Sequence, residues 1–332
     1  MKKNLILKIG IIFIAVFLLL GIFYVIHIDE VTLKEEIKIT IQEGAGTKSI
    51  AKNLKNNGII KNTSAFVFFI KQKDATASLK PGNYKFGPGK VDFDNILETL
   101  LKGNQAEAIL VTIPEGYTVK QIAAMLSQKG LVDETKFLEY AGSMELPYDY
   151  MEKGNDYRQL EGFLFPETYS IPLTWTEKEI IQTMLNQFDK VWTEDYQKKA
   201  DALGFSVKEI VTIASLIERE AKIDSERKTI SSVIHNRLKI GMLLQIDATI
   251  QYLLPEQKER LLYKDLEVDS PYNTYKYKGL PPTPIASPGK ACIEAALEPE
   301  ETPYLYYRAK AVGNGEHYFS QTLEEHNSYK GK

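Results

Sequence analysis

The chain of 332 residues balances 41 Lys and Arg against 44 Asp and Glu, a formal net charge of −3, and its 44% hydrophobic content suits a globular protein. That balance implies no polyanionic partner, nucleic acid included. Cys292 is the only cysteine, which excludes an intrachain disulfide. His27, His235, His317 and His326 are scattered, with no HExxH or CxxC pattern, so no metal centre of that kind and no cofactor are implied; only carboxylate-type cation sites stay open.

The N-terminal segment predicts a compartment. Lys2, Lys3 and Lys8 precede an apolar run from Ile9 to Ile26, and Asp29 and Glu30 follow it. As a helix the run rises about 27 Å, enough to cross a bilayer. The expectation is a cytoplasmic stretch 1–8 and a single transmembrane helix over 9–28, with the remainder outside the cell membrane. Gly21-Ile22-Phe23-Tyr24-Val25 offers no small-residue cleavage site, so the span reads as an uncleaved anchor.

Next comes an internal repeat. Residues 39–59 align with 111–131 without a gap, Ile41 falling on Ile113, a shift of 72 residues. Each copy predicts a short alternating strand (Ile37, Ile39, Ile41; Ile109, Val111, Ile113), a Glu-Gly turn, then a helix ending at Gly58 or Gly130 in the left-handed cap position. Between the copies, Leu79 to Phe86 reads as a turn into a strand able to pair with the first. Strand–helix–helix–strand resembles a LysM-like fold, of the kind that holds glycan chains; spacing from the membrane is the structural alternative. The expected organisation is α+β: a membrane-proximal domain over 37–106, a second related repeat over 107–150, and a mixed α/β domain over 151–330.

The helix after Ser206 carries the chemistry. Ser206 can cap it, and Ile210, Val211, Ile213, Ala214, Leu216, Ile217 and Ala221 recur at helical spacing. Glu218 shares a face with Val207, Val211, Ala214 and Ala221, where lost solvation disfavours a charged carboxylate. A protonated acid in a cleft suits cleavage of a glycosidic bond. A surface pair with Lys222 one turn later is the plain alternative.

Four further segments stand out. Residues 160–169 read LEGFLFPETY, with Glu161 and Glu167. Residues 235–252 predict a helix end, a stop at Gly241, then Gln245 and Asp247 on a short extended piece. Residues 270–289 hold five prolines and three tyrosines, so they are neither helix nor central strand. Tyr272, Asn273, Thr274 and Tyr275 supply the flat faces, amides and hydroxyls that sugar rings need, or simply pack a Pro-rich loop. Residues 303–326 predict a Tyr-rich strand, a Gly-Asn-Gly turn, and a second strand with His317 and Phe319.

The ordered set LEGFLFPETY, ASLIEREA, NRLKIGMLLQIDATIQY, SPYNTYKYKGLPP and PYLYYRAKAVGNGEHYFS resembles the YceG-like family of endolytic murein transglycosylases. The resemblance implies a membrane-anchored enzyme cutting nascent peptidoglycan strands internally, LysM-like modules beside a mixed α/β catalytic domain, and peptidoglycan synthases as neighbours. It places the catalytic glutamate on Glu218, with Glu220 as runner-up or supporting acid. Gln245, Asp247, Tyr272, Asn273 and Tyr275 become substrate-binding candidates. Ile246 and Ala248 stand where a hydroxyl residue and a proline are expected, and Thr283 where a glycine is, departures that touch loop shape and not the acid.

The expected reaction breaks the bond between N-acetylmuramic acid and N-acetylglucosamine. Glu218 acts first as acid on the bridging oxygen, then as base on the muramoyl 6-hydroxyl, leaving a 1,6-anhydromuramoyl end. The substrate acetamido group is an expected stabiliser of the cationic state. A muramidase hydrolysing the same bond would need a second carboxylate, for which Asp247, Glu161 and Glu167 are candidates. A non-catalytic glycan-holding scaffold is the rival from another class. A serine hydrolase fits poorly, since no GxSxG elbow occurs.

Overall fold

The computed structural model describes residues 30–42, 44–103, 108–311 and 315–331. The expected membrane helix over 9–28 lies outside them, as do Glu43 of the first Glu-Gly turn and Gly313 and Asn314 of the last turn. Among the described residues no helix is long and apolar enough to cross a membrane. The chain is mixed α/β, and forms two compact units that divide between Ala108 and Ile109.

In the first unit, β1 (Val31–Leu33) pairs antiparallel with β4 (Gly89–Val91), and β2 (Ile37–Ile41) with β3 (Gly82–Phe86). Ile39 stands opposite Tyr84, and both point inward with Ile41 and Phe86, while Lys38 and Thr40 face out. This is the period-2 alternation of a sheet with one buried face. Helices α1 (Thr47–Asn56), α2 (Thr63–Gln72) and α3 (Phe93–Lys102) cover that face. Asn62 caps α2 by accepting from the N–H groups of Ser64 and Ala65, and Asp92 caps α3. The core gathers Leu54, Phe66, Tyr84, Ile96 and Leu100, with Phe66 set edge-on to Phe93 at 5.2 Å.

The second unit opens on the repeat. β5 (Ala108–Thr112), α4 (Val119–Gln128), α5 (Glu134–Ser143) and β6 (Thr168–Pro172) follow the order of β2, α1, α2 and β3, and β5 pairs with β6 as β2 pairs with β3. The 72-residue shift carries Thr47–Asn56 onto Val119–Gln128. It also carries Gly44 and Gly58 (φ 75° and 71°) onto Gly116 and Gly130 (φ 75° and 70°). Positive φ is where glycine alone costs nothing, so the matched glycines hold matched turns. The second copy keeps no separate core. Val111, Ile122 and Leu126 join the same buried cluster as the helices that follow.

Those helices are α6 (Glu177–Val191), α7 (Glu194–Leu203), α8 (Val207–Glu220), α9 (Arg227–Lys239), α10 (Asp247–Leu253) and α11 (Lys290–Leu297). The antiparallel hairpin β7 (Tyr306–Ala309) and β8 (His317–Ser320) and a short α12 (Leu323–Ser328) close the chain. α8 is the central rod: every residue from Ile210 to Ile217 is buried, and α11 packs along it with α9 alongside. Asp247 begins a helix, not the extended piece read from the sequence. The Ile246 carbonyl accepts from both the N–H and the Oγ1 of Thr249, at 3.1 and 2.7 Å, which closes a first turn. Residues 270–289 contain no helix or strand, as their prolines require.

Candidate active site

Helix α8 starts where the sequence puts it. Ser206 Oγ accepts from the Glu209 N–H at 3.2 Å and the Glu209 carboxylate accepts from the Ser206 N–H at 2.8 Å, a reciprocal cap. Polar side chains inside the rod are satisfied locally. Thr212 donates to the Lys208 carbonyl, and Ser215 donates to the Thr212 carbonyl while accepting from the Ile285 N–H at 3.0 Å. That last bond fastens the Pro-rich segment to the rod.

The rod stays buried until Ile217, and Glu218 is the first side chain to emerge, half-buried. Its Oε2 accepts from the Gly289 N–H at 3.0 Å. Gly289 is the residue just before α11, so the carboxylate sits against the end of a helix whose N–H groups lack intrahelical partners. The Cys292 thiol, one turn into α11, lies against the same carboxylate; burial and the adjoining Glu218 charge push the thiol far up, so it stays a neutral S–H. Arg227, tied to Asp224 at 2.9 Å, lies within electrostatic reach of Glu218. The alternative pairing of Glu218 with Lys222 is not among the ion pairs of the described residues.

A second carboxylate reaches the same spot. Glu115 follows β5, in a turn docked onto the Pro-rich segment by two backbone bonds, Gly116 N–H to Ser287 and Ser287 N–H to Tyr117, each 2.8 Å. Arg219 adds a bond from Nη1 to the Gly116 carbonyl at 3.3 Å. Glu115 Oε1 lies 1.9 Å from where a Cβ on Gly289 would stand, so the carboxylate rests directly on the Gly289 backbone. Burial first, then the Glu218 charge, raise the Glu115 pKa, against the pull of Arg227. Glu115 and Glu218 thus converge on Gly289. A groove of about 550 Å³ opens beside them, lined by Gly116, Thr118, Arg158, Arg219, Ala248 and Tyr252 among others. A larger cavity of about 1110 Å³ lies at the other end of α8, around Phe205, Glu209 and His235. Nine residues of helix, about 13 Å of rise, separate Glu209 from Glu218, so that cavity does not serve this acid.

Glu220 belongs to a different neighbourhood. Two residues on, it turns about 200° around the helix from Glu218. Tyr307 donates to its Oε2 at 3.0 Å, and Asp247 and the Ala248 N–H lie beside it. Burial raises its pKa against the Tyr307 bond. Tyr275 donates to Asp247, and His317 is held by Glu226 through Nδ1 at 2.7 Å. This network joins α8 to α10, to the Pro-rich segment and to the β7–β8 hairpin.

The YceG-like family model matches residues 39–332. The chain belongs to the YceG-like family. It is 40% identical over 314 residues to the endolytic murein transglycosylase of Bacillus subtilis (strain 168), spanning 90% of this chain and 85% of that protein. The protein of the same name from Streptococcus pneumoniae (strain D39) is 32% identical over 323 residues; the match takes 88% of this chain but 57% of that protein's length. A crystal structure of a yceG-like protein from Listeria monocytogenes aligns with a TM-score of 0.59 at 37% identity, over 89% of this chain and 99% of that one.

Within this family member the residues singled out by sequence divide four ways, Gln245 standing apart from the rest. Glu218 emerges at the end of the rod; Glu220, Asp247 and Tyr275 meet in one network; Tyr272 and Asn273 turn inward. Asn273 is fully buried. Its Nδ2 donates to the Leu266 and Val268 carbonyls at 2.8 and 2.7 Å, and its Oδ1 accepts from the Tyr275 N–H at 3.0 Å. An amide so occupied shapes the loop and has nothing left to offer a glycan. Tyr272 is nearly as buried, packed on Tyr252 at 5.2 Å with its hydroxyl on Thr283. Gln245 is exposed and adopts φ +50°, a conformation non-glycine residues rarely take, held by its N–H on the Thr274 carbonyl.

Of the other carboxylates considered, Glu161 is sealed, accepting from the Val119 N–H and the Tyr252 hydroxyl, both 2.9 Å. Glu167 is exposed and folds back on the N–H of Thr168. Neither adjoins Glu218. Glu115, which does, was visible in the sequence only as the Glu-Gly turn of the second repeat.

Proposed function

We propose that this chain is an endolytic lytic transglycosylase that cleaves the N-acetylmuramic acid–N-acetylglucosamine bond within nascent peptidoglycan strands, leaving 1,6-anhydromuramoyl ends. The observation that carries the reading is Glu218, emerging from a buried helix against the N-terminus of α11, in a chain 40% identical to a murein transglycosylase. Glu218 gives its proton to the bridging oxygen as the anomeric C–O bond breaks. The resulting carboxylate then takes the proton of the muramoyl 6-hydroxyl as that oxygen closes on the anomeric carbon. No water is consumed. The groove beside the Glu115–Gly116 turn has polar and aromatic walls suited to a sugar strand.

In the same proposal Glu220 supports the site by bracing α10 and the hairpin, and Gln245, Asp247 and Tyr275 contact glycan. The two strand–helix–helix–strand copies serve as LysM-like modules. Residues 9–28 anchor the protein in the cell membrane with the catalytic domain outside, close to peptidoglycan synthases.

The test is digestion of uncrosslinked glycan by the full-length protein, with mass spectrometry of the product ends. Wild type is expected to give anhydro ends, and Glu218→Gln to lose at least about 1,000-fold in turnover while melting normally. Ends one water heavier would instead make the enzyme a muramidase. A folded Glu218→Gln protein that still releases anhydro ends would remove Glu218 from the mechanism.

A further inference from the structure

Glu115 does no visible structural work. It makes no hydrogen bond or ion pair among the described residues, although it sits beside another carboxylate, a repulsion that the Arg227 charge offsets only in part. Its position is nevertheless fixed with care. The turn that carries it is pinned by the Gly116–Ser287 and Ser287–Tyr117 backbone bonds and by Arg219, and its carboxylate rests against the Gly289 backbone. The side chain remains exposed, so a substrate can reach it.

Resting on the reading of Glu218 as the proton donor, we propose that Glu115 is a second catalytic carboxylate, ionised at the moment of cleavage and facing the muramoyl anomeric carbon. As the glycosidic C–O bond breaks, its electron pair goes to the departing oxygen, which takes the proton of Glu218. The anomeric carbon is left cationic, and the Glu115 carboxylate stabilises it through space without forming a bond. The 6-hydroxyl oxygen then bonds to that carbon and returns its proton to Glu218, so no oxidation state changes. Preorganised charge aimed at a developing charge is the most effective kind of catalytic interaction. The charged and titratable groups that face Glu115 are Glu218 from α8, Asp224 just ahead of α9 and Arg227 at its start, with Arg219 bonded to its turn and Cys292 behind on α11. Burial raises the Glu115 pKa, so the loss of activity on acidification begins above the ordinary carboxylate range.

The experiment compares full-length wild type, Glu115→Gln, Glu115→Asp and Glu218→Gln on uncrosslinked glycan, measuring kcat and KM from pH 4 to 8. Glu115→Gln is expected to lower kcat by about 100-fold with KM within about threefold, keep anhydro products, and lose the acid limb of the pH profile. Glu115→Asp is expected to recover part of kcat and to move the limb to lower pH, since aspartate is the stronger acid. Should Glu115→Gln fold poorly, the limb in Glu115→Asp still decides, because a packing role would leave it unchanged. A Glu115→Gln enzyme within threefold of wild type in kcat, with the limb intact, overturns the proposal while leaving Glu218 in place. An active Glu218→Gln enzyme overturns the reading on which it rests.

Discussion

Glu161 and Glu218 are both glutamates in apolar settings, and the groups around them separate their roles. Glu161 has each oxygen engaged, one by the first N–H of α4 and one by Tyr252, so it fastens α4 to α10. Its carboxyl is pushed from 4.5 up to about 7, chiefly by burial, against the pull of those two bonds. A folded-state pKa raised above the unfolded value means the native protein holds the extra proton. Stability from this group is therefore complete below about pH 4.5, falls as pH rises toward 7, and levels off above it. The full change is about 3 kcal/mol. Urea unfolding at half-unit steps from pH 4 to 8 is expected to show that decline in wild type and its absence in Glu161→Gln. A stability difference between the two that stays constant across the window would contradict the assignment. At this scale the sequence revealed Glu218 through its apolar helical face but was silent on Glu115. The two are far apart along the chain, and only the pairing of the 116–117 turn with Ser287 brings them to one glycine.

At the scale of elements, periodicity and caps were legible, because α8, α4 and the repeat obey local rules. Ser206, the buried run to Ile217, and the matched glycines each act within a few residues of themselves. Loops were less legible, since their conformation depends on bonds to distant partners. The Asn273 loop shows the difference. Composition left two readings, an amide free for sugar or one packing the loop, and the fold turns it inward to bind two carbonyls and one N–H. Asn273→Asp keeps the acceptor for Tyr275 but sets a carboxylate against the Leu266 and Val268 carbonyls. The expected cost is about 2–4 kcal/mol in denaturant unfolding. The control is Tyr277→Phe, an exposed hydroxyl on Asp269 whose loss is expected to change stability by less than about 0.5 kcal/mol. Equal stability of Asn273→Asp and wild type would return Asn273 to the list of side chains available to substrate.

For the whole molecule, the decisive fact is that two hydrophobic clusters share no member. One gathers residues from Leu33 to Leu100, the other from Val111 to Leu297. The repeat therefore occurs once with its own core and once merged into the helical layer around α8, so duplicated sequence has met two different packing fates. Cooperativity follows shared buried contacts, and each unit has reason to unfold as its own two-state system. Phe66, fully buried in the core of the first unit and edge-on to Phe93, tests this. Phe66→Ala leaves a cavity expected to cost the first unit about 3–5 kcal/mol. Both tryptophans, Trp175 and Trp192, lie in the second unit, so their fluorescence reports that unit alone, whereas far-ultraviolet circular dichroism reports both. In Phe66→Ala the dichroism transition is expected to split, its early step moving to lower denaturant while the fluorescence midpoint and glycan turnover stay put. If fluorescence and dichroism instead shift together, stability is shared between the units and the separate cores do not unfold separately.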